Sequence, residues 1–115
     1  MKAFSLIADE ITAHEAEDDP RNQHILIYVD GKIVPRSEAK VSVYDSGFML
    51  GDGVWEGLRF YNGTWAFLDE HINRLYEAAK AIDLDINLNE VELIAALEKT
   101  RLANRITKDA HARVM

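Results

Sequence analysis

Apolar and polar positions change rhythm several times along the chain. At "HILIYVDGKIVP", Ile25, Ile27 and Val29 alternate with other residues, and Ile33 continues the pattern after Asp30-Gly31. Strict alternation is the signature of a half-buried strand, and Asp-Gly supplies the positive φ angles of a tight hairpin turn. Pro35 has no N–H to give to a ladder, so it closes the return strand. "AKVSVYD" predicts a further short strand with Val41 and Val43 on one side, followed by the turn-rich "SGFMLGDG". "EGLRFYNGTWAFL" then predicts two strands around an Asn62-Gly63 turn.

After that hairpin the period becomes helical. Asp69 is the expected N-cap of a helix from about Glu70 to Ile82, with Ile72, Leu75, Tyr76, Ala79 and Ile82 on one face. Arg74 points almost the opposite way, among Ala78 and Ala81, so folding is expected to be almost indifferent to it. A second helix follows in "NEVELIAALEKTRLANRI". Asn89 caps it, Glu92 completes a capping box, and Asn104 suits its C-terminal stop. "KDAHARVM" ends in Val114 and Met115, which read as part of another strand. Strands, two helices, then a strand make an α+β fold, an antiparallel sheet with two helices.

Residues 1–22 break these rhythms. They end in "HEAEDDPRN" and read as an acidic leader, either a frayed amphipathic helix or a flexible arm. Ordered structure is expected over residues 23–115, as one domain or part of one.

Composition narrows the chemistry. With 48 % hydrophobic residues among 115, the chain has enough apolar material for a core. A formal net charge of -7 argues against nucleic acid or an anionic membrane surface as partner. Cysteine is absent, which removes disulfides and thiol chemistry and fits a cytoplasmic protein. No apolar run approaches membrane-spanning length, so no membrane partner is expected. The four histidines, at 14, 24, 71 and 111, are scattered away from metal-ligand spacing, and no metal site is expected. Asp45, Asp52 and Glu56 flank the glycine stretch. They are open to two readings: a carboxylate pair, or the plainer one of turn-forming acids that bond local backbone. Arg74 likewise has two readings, a solvated helix charge or a ligand for an anion.

Three motifs stand in order: "D-x-G-F-x-x-G-D-G-V", "E-G-L-R-x-Y-N-G" and "E-H-x-x-R-L". Together, with a hairpin between the second and third, they resemble the N-terminal domain of the class IV (fold type IV) pyridoxal-phosphate aminotransferases. That group includes branched-chain and D-amino acid aminotransferases and aminodeoxychorismate lyase. The resemblance runs from about Ile25 to the end. It implies pyridoxal 5'-phosphate as cofactor, amino acid and 2-oxo acid as substrates, and a homodimer.

The resemblance also carries residue roles. Arg74, the arginine of E-H-x-x-R-L, would bind the cofactor phosphate, and an arginine fork suits that partner. Trp55 stands where relatives carry a pocket-lining Tyr or Phe. Arg113 stands where branched-chain enzymes carry the strand arginine that receives the second substrate's distal carboxylate, although His111 replaces that strand's tyrosine. Arg59, in "E-G-L-R", is typical of the branched-chain subgroup; a structural strand arginine is the other reading. The family's Schiff-base lysine lies in a second domain, expected beyond Met115. Lys2, Lys32, Lys40, Lys80, Lys99 and Lys108 sit in turns, a tail or polar helix faces, unlike the desolvated lysines of such chemistry. The chain therefore reads as the first domain of a larger transaminase, inactive alone, of branched-chain type. The D-amino acid enzymes, which share "G-D-G-V", and the lyase are the nearest rivals. A non-catalytic binding or dimerisation module is the rival from another class.

Overall fold

The computed structural model describes residues 19–115, which divide into two compact units, the first ending at Ala39 and the second running from Lys40 to Met115. Most of the acidic leader, residues 1–18, lies outside the described residues. Its last part, Pro20–Asn22, forms one turn of 3-10 helix, capped by the Asp19 carboxylate, which accepts from the Arg21 backbone N–H.

In the first unit, β1 (Leu26–Val29) and β2 (Lys32–Pro35) pair antiparallel, with Val29 opposite Lys32. Asp30 and Gly31 take φ of 54° and 83°, as a two-residue primed turn requires. Pro35 ends the second strand, as its missing donor demands.

The second unit opens with a departure from the pattern. The strand expected at Val41 and Val43 does not form; these residues are 70 % and 66 % exposed and have no ladder partner among the described residues. Alternation alone does not make a strand, because each backbone N–H and C=O still needs a neighbour to bond. The glycine stretch likewise holds a short helix, α1 (Ser46–Leu50). Asp45 caps it by accepting from Gly47 N–H, and Gly51 ends it at φ 75°.

The core is built on β3 (Glu56–Tyr61), the middle strand of an antiparallel sheet in the order β4-β3-β5, with β4 (Thr64–Trp65) and β5 (Asp109–Val114). Asn62 and Gly63 make the expected turn, at φ 50° and 79°. The return strand is shorter than "TWAFL" suggests. Ala66 N–H still donates to Arg59 C=O, but Phe67 turns left-handed at φ 53° and sends the chain into α2 (Leu68–Ala81). Phe67 is therefore the N-cap position, with no side-chain cap, and Asp69 lies inside the first turn, where its charge suits the helix dipole.

Leu58 and Phe60 of β3 pack with Ile72, Leu75 and Ala79 of α2 as the buried apolar core. Ile82, expected on that face, is 49 % exposed, because the helix ends at Ala81 and Ile82 leaves its phase. Tyr76 hydroxyl donates to Leu88 C=O at 2.6 Å and ties the helix to the next loop. There α3 (Glu90–Ala103) begins with the full capping box of Asn89 and Glu92, and Asn104 closes it. Arg101 of α3 reaches back over the Phe60 ring, 4.7 Å from its centre. The observed architecture is α+β, with antiparallel sheets and helices.

Candidate active site

Antiparallel pairing sorts the candidate residues by face. Successive side chains on β3 alternate, and residues directly opposite on β5 share a face. Glu56, Leu58 and Phe60 turn toward α2 and are buried. Gly57 opposite Arg113, Arg59 opposite His111, and Tyr61 opposite Asp109 form the other face. On β5 the exposed positions are Asp109, His111 and Arg113. The polar face of the sheet thus carries both Arg59 and Arg113.

Arg113 and Trp55 meet. The guanidinium carbon lies 4.5 Å from the centre of the Trp55 ring, and Trp55 is 58 % exposed. A cation over an indole face is the strongest of the aromatic–cation pairs. Arg59 is engaged differently: its Nη2 donates to Asp109 Oδ2 at 3.3 Å, and its guanidinium sits 5.2 Å from the Tyr61 ring centre. Both contacts lie along the strand pair, so Arg59 has a structural employment of its own. Gly57 belongs to the same face because of its neighbour. A Cβ there would come within 3.1 Å of His111 Nε2, so the imidazole lies directly over the glycine backbone.

Arg74 projects from α2 on the opposite side of the sheet, and there the structure differs from the simple surface picture. Its Nε donates to Glu56 Oε1 at 2.5 Å and its Nη2 to Glu56 Oε2 at 2.8 Å, a two-pronged fork. His71, three residues earlier on the helix, donates from Nδ1 to the same Oε2 at 2.9 Å. Glu56 is only 5 % exposed, and a carboxylate so buried needs partners to remain ionised. The hydrogen bond from Arg74, and secondly that from His71, hold its pKa down to about 2 despite burial. Glu56 in turn pushes the Arg74 pKa up. The Arg74 side chain is nevertheless 68 % exposed.

This decides one open reading and goes against one expectation. Glu56 is not a turn-forming acid bonded to local backbone; it bonds a helix fifteen and eighteen residues away. Asp45 does play the local role, at the start of α1. Folding is also not indifferent to Arg74, since its removal strips a buried carboxylate of its fork. Sequence reasoning misses the joint role of Glu56 and His71, although a signal is present. Positions 56, 58 and 60 share one face of a strand, and an acid beside Leu58 and Phe60 on a core face demands a partner.

No group of acids and histidines among the described residues is arranged to hold a metal ion. Lys32, Lys40, Lys80, Lys99 and Lys108 are all exposed, and Lys2 lies outside the described residues.

The model of class IV amino-transferases matches residues 53–115, the stretch that contains Trp55, Arg59, Arg74 and Arg113. The chain belongs to the class IV aminotransferase family. It is 45 % identical over 89 residues to a putative branched-chain-amino-acid aminotransferase of Methanocaldococcus jannaschii, covering 77 % of this chain and 31 % of that protein. It is 42 % identical over 73 residues to the D-alanine aminotransferase of Bacillus licheniformis, covering 64 % of this chain and 26 % of the relative. Its fold is similar, with a TM-score of 0.71 and 35 % identity, to the branched-chain aminotransferase of the thermophilic archaeon Thermoproteus uzoniensis with norvaline. That likeness covers 78 % of this chain and 32 % of that structure. The chain thus spans about a third, or less, of the length of these family members.

Proposed function

We propose that the intact protein transfers an amino group between an amino acid and a 2-oxo acid with pyridoxal 5'-phosphate, and that branched-chain amino acids are its donors. In this reading the chain supplies Arg74 to the cofactor phosphate, and Trp55, Arg59 and Arg113 to the substrate pocket. The observation that carries it is the way Arg74 is held. A guanidinium has five N–H donors; Nε and one N–H of Nη2 are engaged by Glu56. Both N–H groups of Nη1 and the second of Nη2 are left on an exposed side chain, a set suited to phosphate oxygens. The residues present therefore fit the cofactor's phosphate end. When bound, the pyridine ring supplies the electron sink for the chemistry at the substrate α-carbon.

The chain's own residues bind and orient. Arg113, held over the Trp55 ring, presents a cation to a substrate carboxylate, while the indole offers an apolar wall suited to an aliphatic side chain. The 45 % identity to a putative branched-chain enzyme supports that substrate class. The likeness to a D-alanine aminotransferase supports the alternative, a D-amino acid donor. The Schiff-base lysine is assigned to a part of the protein outside these residues, in keeping with the exposed lysines here. No described helix is long and apolar enough to cross a membrane. A cytoplasmic placement is part of the proposal. A homodimer is the assembly we propose. The exposed apolar row Val41, Val43, Tyr44, Phe48, Met49 and Leu50 supports a surface that is covered in the intact protein.

The test uses the intact protein. Amino transfer to 2-oxoglutarate from L-leucine, L-valine and D-alanine is measured in parallel, and faster transfer from D-alanine would replace the branched-chain reading. Cofactor affinity is measured by titrating the apoprotein. Arg74→Ala is expected to weaken it roughly ten- to a hundred-fold, with partial rescue by Arg74→Lys, which keeps the charge and loses the planar fork. Wild-type affinity in Arg74→Ala would remove Arg74 from the cofactor site.

A further inference from the structure

Glu56 faces Arg74 and His71 from the first position of β3, and both partners stand on one face of α2, three residues apart. The carboxylate is the buried member of the cluster and the arginine the exposed one, at 6 % and 68 % for the side chains. An exposed arginine samples many rotamers; one forked onto a fixed carboxylate has its guanidinium plane and its outward edge decided. Oε2 accepts from both Nη2 and His71 Nδ1, so the imidazole fixes the carboxylate that fixes the guanidinium. An ionised carboxylate has no hydrogen to donate, so the hydrogen of that contact sits on Nδ1.

We infer that Glu56 is a positioning residue for cofactor binding. It sets the outward edge of Arg74 toward the phosphate, and His71 is the second donor that holds Glu56 in place. The inference rests on the reading of Arg74 as the phosphate ligand. It makes a prediction opposite to simple charge. Glu56 is an anion beside the place assigned to another anion, so by Coulomb's law alone its neutralisation would tighten phosphate binding. If its work is orientation, neutralisation loosens binding, because the amide of Gln offers one acceptor where the fork needs two.

The experiment titrates the full-length apoprotein with pyridoxal 5'-phosphate, and separately with inorganic phosphate as competitor. Glu56→Gln is expected to weaken both by about tenfold. His71→Leu, which keeps the Glu56–Arg74 fork and removes the second donor, is expected to weaken them by about threefold. In an Arg74→Ala background, Glu56→Gln should have no further effect on affinity, whereas damage transmitted through general destabilisation would persist there. A thermal melt of each apoprotein reports folding. If Glu56→Gln does not fold, His71→Leu decides alone. Wild-type or tighter binding in the folded variants overturns the inference while Arg74→Ala still weakens binding. Wild-type binding in Arg74→Ala would instead overturn the phosphate reading itself, and the inference with it.

Discussion

Arg113 lies against Trp55, its guanidinium carbon 4.5 Å from the ring centre, so a strand cation is held by the residue just before the neighbouring strand. If this pair receives a substrate carboxylate, Arg113→Ala should raise KM for a dicarboxylic 2-oxo acid roughly tenfold or more while leaving cofactor affinity unchanged. Steady-state kinetics with 2-oxoglutarate and with a monocarboxylic 2-oxo acid separate the effects. Trp55→Phe keeps an aromatic face and should lose less than Trp55→Ala. A KM for 2-oxoglutarate that Arg113→Ala leaves unchanged, or raises by no more than the KM for the monocarboxylic acid, would remove the carboxylate role.

Acid should act on Glu56 in a defined direction. Its folded pKa of about 2 lies below the ordinary 4.5, so the stability it contributes is complete above about pH 4.5 and lost as pH falls toward about 2. Urea unfolding of wild type and Glu56→Gln should therefore differ most above pH 4.5, with the difference shrinking across that window. A difference that stays constant down to about pH 2 would show that the carboxylate is not held ionised.

Gly57 is close to its spatial limit beneath His111, with a Cβ contact of 3.1 Å. Alanine can be met by movement of the exposed imidazole, whereas valine adds bulk on both sides of that contact. Gly57→Val should cost about 1–3 kcal/mol in stability and displace the His111 ring, seen as a shift of its NMR resonances. An unchanged His111 signal would contradict the contact.

The capping box at the start of α3 is a local device and should behave as one. Asn89→Ala removes the acceptor for Glu92 N–H and should cost about 1 kcal/mol, read as a lower melting temperature with the cofactor properties of the intact protein unaltered.

Borohydride reduction of the intact protein with bound cofactor should leave every lysine of this chain unmodified, because the five described lysines are all exposed. A stoichiometric adduct at any one of the six, located by peptide mapping, would contradict the assignment of the Schiff-base lysine elsewhere.

Local chemistry was legible without coordinates. Asp30-Gly31 and Asn62-Gly63 mark hairpins because positive φ has few suitable residues, and Asn89 with Glu92 marks a helix start because the two satisfy each other's backbone. The motifs around Trp55, Arg59 and Arg74 placed the chain in its family for a similar reason: each is a short run whose meaning does not depend on distant partners. Tertiary structure decided everything that depends on a neighbour. Val41 and Val43 alternate like a strand yet have no ladder to join among the described residues, and Ile82 falls off the core face because the helix ends one residue earlier. Most of all, whether Glu56 was a turn acid or a buried anchor depended on helix residues that lie fifteen and eighteen positions further on. Only the packing of β3 against α2 brings Arg74 and His71 to its carboxylate and makes burial of that charge tolerable.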